Sequence, residues 1–290
     1  MDNNILKGAF DLHLHSAPDI VPRSVDDLDM AKEAAENEMG GFVLKNHYAP
    51  TAGRAAIIRK LYPQLNAVGS ITLDSAVGGI NPMGVETMAR MGGKVVWFPT
   101  FDSYRQLNYA VEHTPQFISM QMKLMQRGMQ RPAIYVLNDA GEVREEVKQV
   151  LEIIADYDLV LATGHISHEE SFALLKAAKE QHVQKMILSH VDCLSTRYTA
   201  EEQKQYLQLG AIMEHSFLYT AEKAVPWDTI CNEIRTAGVN QVIFTTDFGQ
   251  TRQISPVKGF RQCAEKLLAT GFTEDEVRTM IAKTPKNLIQ

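Results

Sequence analysis

Two histidines, His13 and His15, stand two residues apart in the stretch GAFDLHLHSAPD, which otherwise reads as a buried strand. Side chains two apart on a strand share a face. The pair can therefore share one divalent cation, and Zn–N bonds of about 2.0–2.1 Å suit that arrangement. Hydrogen-bonded core histidines produce the same pattern, so the pair alone decides nothing. Three more residues of ligand type close later apolar runs: His165 in DLVLATGH, His190 in KMILSH and Asp247 in QVIFTTD. Five such residues in matched positions point to a metal site.

Such a site needs a scaffold that brings several strand ends together. Candidate strands cover 9–15, 41–47, 66–73, 94–100, 158–165, 185–190, 211–217 and 241–247, each short, apolar and bounded by Gly, Pro, Asn or Asp. Helical patterns fill the intervals. One starts at Ser24 as N-cap and runs to Gly40–Gly41; others show capping-box spacing at Ser167 and Glu170, Thr199 and Glu202, and Thr273 and Glu276. This alternation predicts an α/β fold, a (β/α)8 TIM barrel, as a single domain over 1–290. A doubly wound open sheet is the alternative. It is disfavoured because polar residues close nearly every strand, not one switch point. In a barrel, His13 and His15 point into the mouth while Leu12 and Leu14 face the helices. Between the fourth and fifth strands the chain is far longer than an ordinary connection, with an inserted segment over 101–135. AIYVLNDAGEV reads as a hairpin turning at Asn138–Gly141, and the Met- and Gln-rich stretch before it as a helix over the mouth or an oligomer contact.

The ordered set HxH…H…H…D resembles the amidohydrolase superfamily of metal-dependent hydrolases, and the likeness runs through the whole barrel. It implies that His13, His15, His165, His190 and Asp247 are metal ligands, and that Asp247 also accepts the proton of the water activated there. It implies Zn2+ as cofactor, one or two ions, with Mn2+, Fe2+ or Ni2+ as alternatives. The loop signatures TDFGQ and GINPMGVE look most like an uncharacterised branch of that superfamily.

The fourth strand departs from the pattern. It ends VVWFPTFD, without the Lys or Glu that bridges two metals in many members. Lys45, in register with His47 near the end of the second strand, is the candidate bridge. Burial that removes its charge would let the amine react with carbon dioxide. A salt bridge or a contact to a substrate carboxylate is the other role open to Lys45, and His47 is a ligand or a substrate contact. Asp247, Lys45 and His190 form the expected catalytic set. Of Glu214 and His215 only one can face inward, and Glu214 is expected to support a ligand or touch substrate. Asp19 and Arg252 join His47 and Glu214 as expected substrate contacts, since the arginine fork suits a carboxylate or phosphate.

The expected function is hydrolysis of an amide, lactam, lactone or ester bond in a small molecule. Phosphoester hydrolysis of the TatD type is an alternative, although the glutamate those nucleases carry near strand four is missing. The polymerase-and-histidinol-phosphatase type expects a histidine where this chain has Gly249. A non-catalytic metal-binding barrel is the third reading. A net charge of −6 and a pI near 5.9 argue against nucleic-acid and membrane-surface partners. Cys193, Cys231 and Cys263 show no paired spacing, and the N-terminal stretch lacks a basic and apolar leader, so a cytoplasmic protein with free thiols is expected. A small-molecule substrate is the expected partner, and a homo-oligomer is compatible with the insertion.

Overall fold

The apolar runs form parallel strands in the computed structural model, which describes residues 4–113, 126–129 and 132–290. In chain order they are β1 (Phe10–Leu14), β2 (Gly41–Leu44), β3 (Asn66–Val68, resuming after Gly69 as Ser70–Thr72), β4 (Val95–Trp97), β5 (Val160–Ala162), β6 (Lys185–Leu188), β7 (Ile212–Ser216) and β8 (Val242–Thr245). Each pairs in parallel with the next. The Asp247 N–H on His13 O and the His15 N–H on Phe248 O, both 2.8 Å, join the end of β8 to β1. The result is the expected (β/α)8 barrel.

Alternate residues fill the barrel: Val43, Val68, Val95, Trp97, Val160, Ala162, Ile187 and Ile243 form one inner cluster. Leu288 and Ile289 of the C-terminal helix (Thr284–Ile289) belong to it and plug the end away from the histidines. The outward residues, such as Phe42, Leu44, Val96, Leu161 and Phe244, pack against the helices.

Leu12 corrects the sequence reading. Between Asp11 and Leu14 the strand spends three steps where β2 spends two, from Phe42 to Leu44. This bulge turns Leu12 into the inner cluster, while Leu14 alone faces the helices. It also removes the His13 N–H from the ladder. Asp11 takes up that N–H at 3.2 Å, together with the Thr246 N–H at 3.1 Å and the Thr246 hydroxyl at 2.5 Å.

β3 is interrupted because a helix presses on it. A Cβ at Gly69 would lie 2.3 Å from Ala52 Cα and 2.6 Å from Ala52 N, at the start of the helix Ala52–Leu61. Backbone cannot yield as a side chain can. Gly69→Ala is expected to lower stability by about 1–3 kcal/mol. A lower urea midpoint at unchanged slope checks this.

The helices largely start where their caps predict. Capping boxes form at Ser167, Thr199 and Thr273. The first helix differs: it covers Asp27–Glu36 and its cap is Asp26, which accepts the Leu28 and Asp29 N–H groups at 2.8 Å, whereas the Ser24 hydroxyl has no partner among the described residues. The expected hairpin is present, with Leu137 bridged to Val143 and the turn closed by the Gly141 N–H on Asn138 O. The Met- and Gln-rich stretch falls mostly in 114–125, outside the described residues. Among the described residues no helix is long and apolar enough to cross a membrane.

Candidate metal centre

The strand ladders end earlier than the apolar runs do. Lys45, His47, His165, His190 and Asp247 all lie just beyond their strands, at the C-terminal mouth where barrel chemistry sits. His190 and Asp247 hold left-handed backbone, with φ of +23° and +53°. Residues of these types tolerate such angles only at a cost, which often marks a working site.

The structure brings the expected ligands together. His13 Nδ1–H donates to Glu214 Oε1 at 2.7 Å, leaving the Nε2 lone pair for the centre. His13 Nε2 lies 3.1 Å and His15 Nε2 3.2 Å from Asp247 Oδ1. Lys45 Nζ lies 3.0 Å from His13 Nε2 and 4.2 Å above the Trp97 ring. His190 stands against both His13 and His165, with ring centroids 5.4 and 4.6 Å away. His165 turns Nδ1 to Gln106 Oε1 at 3.1 Å, within the helix Tyr104–His113.

Two observations test whether a cation fits. His190 is fully buried, yet neither ring nitrogen has a hydrogen-bond partner among the described residues. Buried polar atoms are rarely left so. The ligating atoms of His13, His15 and Asp247 lie within 4.8 Å of one another, as one ion requires. These residues can hold a metal.

Burial sets the protonation states. It pushes His15 to about 3 and His190 to about 4, and holds His47 and His165 low as well, so these imidazoles are neutral. Burial likewise lowers the Lys45 amine, against the pull of Asp247 and Glu214. No carboxylate of the described residues forms an ion pair with Lys45, so the salt-bridge role has no partner here. Glu214 moves the other way: burial opposes it, but His13, and then the His190 N–H, hold it at about 2.

The mouth encloses a cavity of about 320 Å³ lined by His15, Arg23, Lys45, His47, Phe101, His165, Tyr219, Asp247 and Arg252, among others. A larger groove of about 900 Å³ beside the hairpin contains none of the ligand-type residues above. Two expected substrate contacts are placed otherwise. Glu214 is fully buried and does not line the cavity; it accepts from His13, from the Thr245 hydroxyl at 2.9 Å and from the His190 N–H at 2.8 Å. It positions His13 and the backbone of His190. Asp19 is spent on Arg23, whose Nε donates to it at 2.8 Å, so it is Arg23 that reaches the cavity. Arg252 lines the cavity and pairs with Glu222.

His215 faces outward, with Asp192 at 3.1 Å. Asp192, His215 and Glu233 form a second buried group with metal-ligand spacing, but the Arg197 guanidinium already pairs with Glu233. Sequence reasoning missed Asp11, Gln106, Phe101 and Tyr219. Only Asp11 gave a signal, a carboxylate inside an apolar run.

The chain is similar in fold to a crystal structure of an amidohydrolase from Pseudomonas aeruginosa: TM-score 0.66, 12% identity, 99% of this chain and 96% of that one covered. It is also similar to the organophosphorus hydrolase from Deinococcus radiodurans, with TM-score 0.61, 10% identity and coverage of 99% and 94%. No curated protein matches it in sequence. Residues 8–214 match the family described as DUF6282, a family of unknown function. By fold the protein is a (β/α)8 barrel like these two hydrolases, and by sequence it belongs to the DUF6282 family.

Proposed function

We propose that the protein is a metal-dependent hydrolase that cleaves an amide, lactam, lactone or ester bond in a small-molecule substrate. The observation that carries this reading is the buried meeting of His13, His15, Lys45, His165, His190 and Asp247, with both His190 ring nitrogens unpartnered among the described residues. The names of the two neighbours support hydrolysis and point to different bonds.

A divalent ion bound here, zinc as first candidate, supplies Lewis acidity that brings the pKa of water towards about 7 and polarises the oxygen under attack. The chain's own residues do the rest. Glu214 fixes His13 with Nε2 inward. Burial keeps His15, His165 and His190 neutral and able to donate lone pairs. Asp247 Oδ1 stands where it can take the proton of the attacking water and return it to the leaving atom. Burial lowers the Lys45 amine towards the neutral form that reacts with carbon dioxide, and as a carbamate it would help hold a second ion. Phe101 stacks on His47 at 3.9 Å and shields the site from bulk water.

Chelation followed by reconstitution tests the proposal. Turnover on a panel of amides, lactones and esters should vanish with chelator and return with zinc, manganese, iron or nickel. Turnover indifferent to chelation would contradict it. Glu214→Gln gives a sharper check, since the amide must turn an NH2 towards one of three donors. Metal affinity should fall about 10–100-fold, read by competition with a chromogenic chelator.

A further inference from the structure

His47 lies on the same inner face as Lys45, its ring nearly parallel to those of Phe101 at 3.9 Å and His15 at 5.0 Å. Hydrogen bonds fix its tautomer. The Asp74 carboxylate, just beyond β3, accepts the Thr100 N–H at 2.8 Å, the Asp102 N–H at 3.2 Å and the Thr100 hydroxyl. A hydroxyl has one proton to give. Thr100 gives it to Asp74 and so meets His47 Nδ1, 2.7 Å away, as an acceptor. Nδ1 therefore carries the ring proton and Nε2 the lone pair. Among the described residues Nε2 has no hydrogen-bond partner, and His47 lines the cavity beside Lys45 and Asp247.

We propose that His47 determines specificity: it is a hydrogen-bond acceptor of fixed tautomer, locked by Thr100 and Asp74, that selects substrates presenting an N–H or O–H donor beside the scissile bond. The inference rests on the hydrolase reading and narrows it. Lactams, ureides and primary or secondary amides supply the donor. Lactones and fully substituted phosphotriesters do not, and would leave Nε2 facing them without a partner. Burial, and next the neighbouring Asp102, raise the Asp74 carboxyl to about 7. The lock is thus best formed on the alkaline side, and pH 8 is the condition for the test.

Histidine 15N NMR on the full-length, metal-free protein reads the tautomer directly. Nδ1 of His47 should be protonated and Nε2 bare, and Thr100→Val should release that preference. Three ring-matched probes, 2-piperidone, N-methyl-2-piperidone and δ-valerolactone, then test selection through their dissociation constants. The N–H lactam should bind at least about tenfold more tightly than the other two, since a site built to pair with a donor rejects analogues lacking it. Thr100→Val and His47→Phe should each erase the difference. A proton on Nε2, or equal affinities for the three probes, absence of binding included, would overturn the proposal. Neither readout depends on turnover, so a failure of the hydrolase reading would show separately, in the chelation assay.

Discussion

Asp247→Asn is expected to lower kcat by about 1,000-fold, within the range that a positioned acid–base group supplies, and to leave the metal bound. The reason lies in what the substitution keeps. Asparagine tolerates the left-handed backbone that Asp247 adopts at φ +53°, and its N–H still reaches His13 O at 2.8 Å, so the joint between β8 and β1 survives. One side-chain oxygen remains beside His13 and His15, which lie 3.1 and 3.2 Å from it. The negative charge and, with it, the capacity to take up a proton are lost. Steady-state kinetics with metal analysis of the same sample checks this, and KM should change far less than kcat. Loss of metal in proportion to activity would make Asp247 a ligand and nothing more.

The second large effect belongs to Lys45. This amine is buried, stands over Trp97 and pairs with no carboxylate of the described residues. Burial favours its neutral form, the form that reacts with carbon dioxide. If the site binds two ions, Lys45→Ala should reduce them to one per chain. Activity should fall by at least about 100-fold, more than the loss of a supporting residue costs. The fold should persist, because Lys45 forms no ion pair with a carboxylate of the described residues that alanine would break. Growth of a carbamate 13C signal on adding labelled bicarbonate to the wild type, and its absence in Lys45→Ala, would identify the group. Two ions and undiminished turnover in the variant would show that Lys45 is no bridge.

The fold was legible because each strand announced itself by a short apolar run, and the alternation with capped helices left few topologies. The residues at the mouth were legible for a related reason. Histidine and aspartate closing apolar runs have little to do there unless they meet. The hidden parts depend on contacts far apart in sequence. Nothing near Glu214 says that its partner is His13, 201 residues away. The β1 bulge that turns Leu12 inward depends on Asp11 reaching Thr246, 235 residues on. Asp19 read as a loose loop charge because its pairing with Arg23 appears only once the loop is folded, with Arg23 bridged to Gln250. The choice of Asp26 over Ser24 as cap is local, yet it turns on which side chain reaches two N–H groups.

Metal binding by these residues underlies every step proposed for the site. Anomalous X-ray scattering at the zinc edge, from crystals of zinc-loaded protein, tests it without reference to any substrate. A peak is expected among His13, His15, His190 and Asp247, with a second near His165 and Lys45 if the site is binuclear. No peak at the barrel mouth, or a peak only at Asp192, His215 and Glu233, would refute the assignment.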